Sequence, residues 1–319
     1  MTSTRSDFGK LSRAVGPKRI LICGSNGLLG QRLSLMLSTK TEYEVLNTSR
    51  HRSFVFDHQL FDYTQLDITR KSDVKSLISS FQPTIIFNAA AATNVDWCET
   101  HREEAWKINV NGVENLVEGA RKVGAKLVHV STDYIFDGKH APYREDDRPE
   151  PLSYYGKSKL AGENALRVSD IPYAIVRTIV VYGYGIDVKL NFPLWVLESL
   201  KAGKEIQCAE DQITNPTYVG DLAQSLVRIM ELDREGIFHV SGGEAVSRFS
   251  FAQHVAEAFG LDASHIRPIK HAELQQAARR PLHTTFITEK AERELGIKPL
   301  DTRHGLAILK QELEQARKN

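Results

Sequence analysis

The chain has little cysteine, no closely spaced histidines, no long apolar run and no excess of charge of either sign, and each shortage excludes something. Its three cysteines, Cys23, Cys98 and Cys208, are odd in number and far apart. They make neither a disulfide framework nor a CxxC metal pair, and a reducing cytoplasm suits them. The eleven histidines include no HxxxH pair, so no metal ligand set is expected. The first 18 residues are polar with scattered basic residues and hold no apolar segment of signal-peptide length, so neither export nor membrane insertion is expected. Lys plus Arg (41) balances Asp plus Glu (40), for a net charge of +1. Such a balance gives no electrostatic reason to bind nucleic acid or an anionic membrane. What remains is ordinary globular composition, 41% hydrophobic and 25% charged over 319 residues, enough for one large domain or two unequal lobes.

From Arg19 onward, apolar runs of strand length alternate with segments of helical period, the pattern of a parallel sheet covered on both faces. Strands are expected at 19–24, 43–49, 84–90, 126–131, 173–178 and 236–242. Helices are expected at 28–38, 71–81, 102–123, 155–168, 191–202 and 219–232. His129 and His239 fall in strands, Trp106 and Trp195 in helices, and Trp97 and Cys98 in the loop after the third strand. The fold class is α/β, a doubly wound parallel sheet with a smaller C-terminal substrate lobe. Residues 1–18 are expected to form a flexible tail, 19–180 and 218–243 the dinucleotide-binding domain, and 181–217 and 244–319 the substrate-binding lobe.

The first strand runs into Gly24-Ser-Asn26-Gly27-Leu28-Leu29-Gly30. Glycines at a first strand–helix junction allow a tight turn and close approach to a pyrophosphate, which the next helix's amides and dipole stabilise. A dinucleotide is therefore expected. The second strand ends in Thr48-Ser-Arg50-His-Arg52, with basic residues where an acid would bind the ribose of NAD. Arg50 and Arg52 suit a 2′-phosphate, favouring NADP with NAD as the alternative; Asp67 and Ile68 would sit near the adenine. Tyr155 and Lys159 open a helical segment four residues apart, on one face. An ammonium beside the phenol favours its ionised form and makes Tyr155 a general acid. Ser131 or Thr132, in VSTDY at the end of the fourth strand, could hold a substrate carbonyl beside it. The acidic run 145–147 reads as a solvated loop.

Several stretches together, GSNGLLG, NAAAATNVDWCE, KINVNGVENL, STDYIFDG with PYRED, YYGKSKLAGE, RTIVVYG, DQITNPTYVGDL and ARRP, resemble the extended short-chain dehydrogenase/reductase superfamily and, within it, the dTDP-4-dehydrorhamnose reductase-like family. The resemblance implies that Thr132, Tyr155 and Lys159 are catalytic, that Asn109 orients the lysine through water, and that Ala89, Ala90 and Ala91 line the cofactor. It places Asp133, Tyr134, Arg177, Asn191, Phe192, Gln212, Pro216 and Arg280 toward a sugar nucleotide. Tyr134 stands where related dehydratases carry a glutamate, which favours ketone reduction over loss of water. The activity implied is NADPH-dependent reduction of the C4 ketone of a 4-keto-6-deoxy sugar nucleotide, with dTDP-4-dehydrorhamnose as the first candidate. The same stretches resemble the regulatory β subunit of methionine adenosyltransferase, which implies a catalytically silent, NADP-binding alternative with a partner enzyme. A different sugar, an epimerase and a homodimer are the other expectations left open.

Overall fold

Strand β1 (Lys18–Cys23) sends Ile20 and Ile22 into one apolar cluster and Leu21 and Cys23 into another, with all four side chains fully buried. Alternation with both faces apolar requires cover on both sides of a sheet. In the computed structural model, which describes residues 17–57 and 59–317, β1 is an interior strand of that sheet. It pairs with β2 (Tyr43–Ser49) on one side and β4 (Ile85–Asn88) on the other. The full order is β7-β6-β5-β4-β1-β2-β3, all parallel, with β3 Tyr63–Gln65, β5 Lys126–Thr132, β6 Tyr173–Thr178 and β7 Gly236–Val240. Strand order reverses beside β1, so a crevice opens at its carboxyl end.

Most elements fall where the pattern puts them. Helices α1 (Leu28–Leu37) and α2 (Lys71–Phe81) follow the strands that precede them. Edge strand β3 was not expected, because three residues with two exposed carry too little alternation to read. Trp97 and Cys98 lie not in a loop but in a short helix, α3 (Val95–Thr100), because the Asn94 side chain accepts from Trp97 N and caps it. The helix expected over 102–123 is continuous but kinked. It runs as α4 (Arg102–Trp106), a π turn (Lys107–Asn111) and α5 (Gly112–Val123). Helix α6 (Tyr154–Arg167) packs on α5 and β5.

Beyond β6, α7 (Phe192–Lys201), α8 (Val219–Glu231), α9 (Arg248–Phe259), α10 (Glu289–Leu295) and α11 (Thr302–Ala316) complete the molecule. One apolar cluster joins Ile20 and Leu33 to Val196, Leu222, Phe251, Leu295 and Leu309. The C-terminal segments therefore share the sheet's core. Gln31 of α1 fastens the 183–190 loop through both ends of its amide, donating to Ile186 O at 2.7 Å and accepting from Ile186 N at 2.9 Å. The tail expected over 1–18 lies outside the described residues except for Pro17 and Lys18.

Arg177 is a correction. It was expected to face the substrate, yet it is 1% exposed and paired with fully buried Glu163 of α6 at 2.8 Å. Its guanidinium also donates to Glu145 O and lies over the Phe136 ring. The reason is the face: side chains two apart on a strand share one, and on the face that Arg177 takes it meets Glu163 of α6. Burial holds His239, 3.3 Å from the same guanidinium, well below its usual range, so it stays neutral. The three thiols are buried and unpaired, and burial pushes all three above the usual range, Cys23 to about 12. Arg177→Met should leave the Glu163 carboxylate buried and alone, and cost about 3–5 kcal/mol in urea unfolding. Adding Glu163→Leu should recover much of that loss.

Candidate active site

The glycine loop is built by contacts that leave no room for a side chain. Gly24 has φ +85°, and a Cβ there would lie 2.7 Å from Ala90 N. A Cβ on Gly30 would lie 2.2 Å from Gly24 O. The Gly24 and Ser25 amides both donate to Thr48 O, at 2.8 and 2.9 Å, tying the loop to β2. Gly27 gives α1 no side-chain cap, and its first turn has no acid, so its positive end faces the crevice uncompensated. The buried Ser25 and Ser131 hydroxyls and Asn26 Oδ1 have no hydrogen-bond partner among the described residues. Open amides and unpaired polar atoms around one crevice fit the pyrophosphate and ribose of a dinucleotide.

Leu28 and Leu29 turn into the core behind this loop, and half-buried Ala89, Ala90 and Ala91 form the facing wall. Arg50 and Arg52 are exposed at the end of β2. Their loop is held by Tyr63, whose hydroxyl donates to His51 O at 2.5 Å and whose ring stacks on Phe54 at 5.2 Å. Asp67 is spent on its own turn, accepting from Thr69 N and Oγ1, and Ile68 packs against Gly112.

Across the crevice, Ser153 caps α6 by accepting from Gly156 N, which sets Tyr155 and Lys159 on the buried face. Burial pushes the Tyr155 phenol above its usual range, and a hydrogen bond with Thr132 pulls it back only in part. The expected lowering by the lysine is not seen in the free protein. Lys159 Nζ instead donates to Val130 O at 2.7 Å and lies 3.2 Å from His129 Nε2. Burial brings this amine down to about 8 against the pull of Glu163. Thr132 Oγ1 accepts from Tyr134 N and donates to Asp133 Oδ1 at 3.0 Å. Asp133, which also accepts from Thr284 at 2.5 Å, is pushed up to about 6 by burial.

Asn109 sits in the π turn, where it accepts from Ala92 N and donates to Ala92 O and Ser158 Oγ. It clamps α6 through Ser158 and makes no direct contact with Lys159.

On the substrate side, Tyr134 meets Tyr155 edge-on at 5.6 Å. Arg280 is paired with Asp96 at 2.7 Å, and its charge bears on Tyr134. Phe192 opens α7 after Asn191, whose buried Oδ1 has no partner among the described residues. Gln212 and Pro216 are buried, and Gln212 O accepts from Arg248 N. Arg248 itself was not anticipated, since a lone arginine after a helix-capping serine carries no signal. Its guanidinium lies over Phe192 at 5.1 Å, and its charge bears on Asp133 and Tyr134 without an ion pair among the described residues. Among those residues no cluster of His, Cys, Asp and Glu could hold a metal, and no helix is long and apolar enough to cross a membrane.

A glycine loop at the switch point with Thr132, Tyr155 and Lys159 beside it defines a Rossmann-fold oxidoreductase that works with a nicotinamide dinucleotide. More narrowly, residues 18–315 match the RmlD substrate binding domain, and the chain belongs to that family. It is 36% identical over 301 residues to a dTDP-4-dehydrorhamnose reductase of Aggregatibacter actinomycetemcomitans, covering 90% of this chain and 97% of that one. It is 31% identical to methionine adenosyltransferase 2 subunit beta of Bos taurus, covering 88% and 86%. A crystal structure of dTDP-4-dehydrorhamnose reductase from Bacillus anthracis in complex with NADP superposes with a TM-score of 0.83 at 33% identity, covering 93% and 99%. Gly30→Ala should force the α1 turn off the Gly24 carbonyl at a cost of about 1–3 kcal/mol. NADPH affinity, read by fluorescence titration, should fall about tenfold or more.

Proposed function

We propose that the protein reduces the C4 ketone of a 4-keto-6-deoxy sugar nucleotide with NADPH, and that dTDP-4-dehydrorhamnose is the substrate. The observation that carries this reading is Tyr155 and Lys159, both buried on one face of α6 opposite the glycine loop, with buried Thr132 at the end of β5. The reductase relatives and the NADP-bound neighbour support it. NADPH, when bound, supplies the hydride. Gly24, Asn26, Gly27 and Gly30 with Ser25 hold its pyrophosphate, Arg50 and Arg52 its 2′-phosphate, and Ala89 to Ala91 leave room for its ring. Residues 19–180 and 218–243 carry the cofactor, and 181–217 and 244–319 supply the substrate's other wall.

The chain's own part is to orient the ketone and deliver one proton. Thr132 has a single hydroxyl proton, which it turns from Asp133 to the ketone oxygen as substrate enters. Tyr155 then protonates that oxygen as charge develops there, and a nearby Lys159 ammonium stabilises the phenolate left behind. Arg248 holds the diphosphate, the strong anion that a guanidinium without an ion pair among the described residues is suited to bind, and Arg280, already paired with Asp96, adds positive charge beside it. Tyr134 stands where the related dehydratases carry the glutamate that expels water, which favours reduction. A second reading, a dinucleotide-binding regulatory subunit, is favoured by the relatives that are methionine adenosyltransferase 2 subunit beta. It predicts a change in a partner enzyme's activity on mixing and no NADPH consumption alone. Three free buried thiols are in keeping with a reducing cytoplasm.

Loss of NADPH absorbance with dTDP-4-dehydrorhamnose made in situ tests the reading. Tyr155→Phe should lower kcat about 100- to 10,000-fold with NADPH affinity kept within about twofold; full turnover in this variant would sink the assignment. Arg248→Ala should raise KM about 10- to 100-fold with little change in kcat, the loss expected for a hydrogen-bonded charge.

A further inference from the structure

Behind the active-site lysine runs a buried chain of polar groups that the reaction leaves unused. Ala90 donates its N–H to Asn88 Oδ1 at 3.1 Å, and Asn88 Nδ2 lies 3.0 Å from His129 Nδ1. His129 Nε2 lies 3.2 Å from Lys159 Nζ, which donates to Val130 O. Asn88, His129 and Lys159 are 1%, 0% and 2% exposed, so solvent does not complete their hydrogen bonds.

Counting donors places the protons. Asn88 Oδ1 is taken by Ala90, so its amide nitrogen faces the ring, and that nitrogen only donates. His129 Nδ1 must accept, and the neutral ring carries its proton on Nε2. This N–H points at Lys159 Nζ, which receives it only as an unprotonated amine. An ammonium there would set two donors face to face unless the ring changes tautomer and the Asn88 amide turns over. Turning it over takes the acceptor away from Ala90 N–H. The two arrangements thus differ by one proton and by whether the Ala90 amide has a partner. That amide belongs to the cofactor wall, 2.7 Å from where a Cβ on Gly24 would lie.

The charges around Lys159 leave the balance close. Glu163, one turn along its own helix, favours the ammonium but is neutralised by Arg177, while burial disfavours it. On β5, burial and the lysine itself keep His129 from taking a second proton. Asp133 from the turn after β5 and Cys98 from α3 act on Tyr155, the other titratable group on this face of α6. A bound dinucleotide adds negative charge and favours the ammonium.

We propose that His129 is a positioning residue whose Nε2–H, given to unprotonated Lys159 Nζ, loosens that group's hold on its proton in the free protein, and that dinucleotide binding reverses this arrangement, so that in alkaline solution the complex takes up a fraction of a proton onto Lys159. The proposal rests on the NADPH reading. Its consequence is that the ammonium needed beside Tyr155 is completed when the cofactor arrives.

The sign follows from linkage. An amine that titrates near 8 in the free protein and higher in the complex takes up little at about pH 6.5 and most above about pH 8. Calorimetry of NADPH binding in buffers of different ionisation heat should show uptake of about half a proton at about pH 8.5 and under about a tenth at pH 6.5. In His129→Gln, whose carbonyl can accept from the ammonium, uptake at about pH 8.5 should fall to about a tenth or less. A merely structural His129 would change affinity at every pH and leave uptake as it was. Equal uptake in the two proteins, or none in the wild type, would overturn the proposal. Should the variant not fold, carbon NMR of labelled lysine in the wild type, assigned with Lys159→Arg, decides the matter. Its midpoint should lie near pH 8 when free and above about pH 9 in the complex, and one midpoint for both overturns the coupling. NADPH that fails to bind overturns the cofactor reading and this inference together, whereas binding without uptake overturns this inference alone.

Discussion

The contact between Gly30 and the Gly24 carbonyl sets the geometry on which everything else depends. It presses the first turn of α1 onto the end of β1. Because β1 is the strand beside which the order reverses, that pressure puts an uncapped helix terminus over the crevice between β2 and β4. The same helix reaches the far side of the cleft through Gln31, which grips the backbone of Ile186. It reaches α11 through Arg32, paired with Glu312, to which Tyr218 also donates at 2.6 Å. A shift of α1 would thus move the cofactor loop and the substrate wall together. One apolar core is shared by both.

Burial is the second constraint, and it acts on chemistry more than on stability. Tyr155, Lys159, Asp133 and His129 are all poorly hydrated, and in each the charged form is disfavoured. Without ligands the site therefore tends toward neutral phenol, neutral imidazole and a weakly held lysine proton. A catalytic acid in such surroundings has little reason to give up its proton to water. Charge must arrive with the ligands, and a dinucleotide and a sugar nucleotide are both anions.

Much of this was legible in the sequence, for reasons that can be located. The central strands read clearly because both faces are apolar, and the glycine loop because only glycine fits where a carbonyl lies 2.2 Å from a would-be Cβ. Tyr155 and Lys159 read as a pair because four residues is one helical turn. Edge strand β3 and the short helix at Val95–Thr100 did not read, since each is fixed by tertiary contacts and caps rather than by periodicity. Arg177 was misplaced because resemblance gives a position but not a face. Both faces of β6 are covered, Ile175 packing in one apolar cluster and Val176 in the other, so neither face leaves a side chain open to the cleft. Arg248 and His129 were hidden for a different reason, since their partners come from segments far away in the chain.

The case of His129 shows why such residues escape a linear reading. Asn88 and His129 are register partners on adjacent parallel strands, 41 residues apart. Neither has a neighbour in sequence that hints at the other. Once the sheet pairs them, the polarity of the chain from Ala90 to Lys159 is no longer free, because the number of donors exceeds the number of acceptors when the lysine is charged. A parallel sheet is usually regarded as a scaffold that positions loops. Here its interior carries two polar side chains, Asn88 and His129, whose hydrogen bonds run from Lys159 to the Ala90 amide.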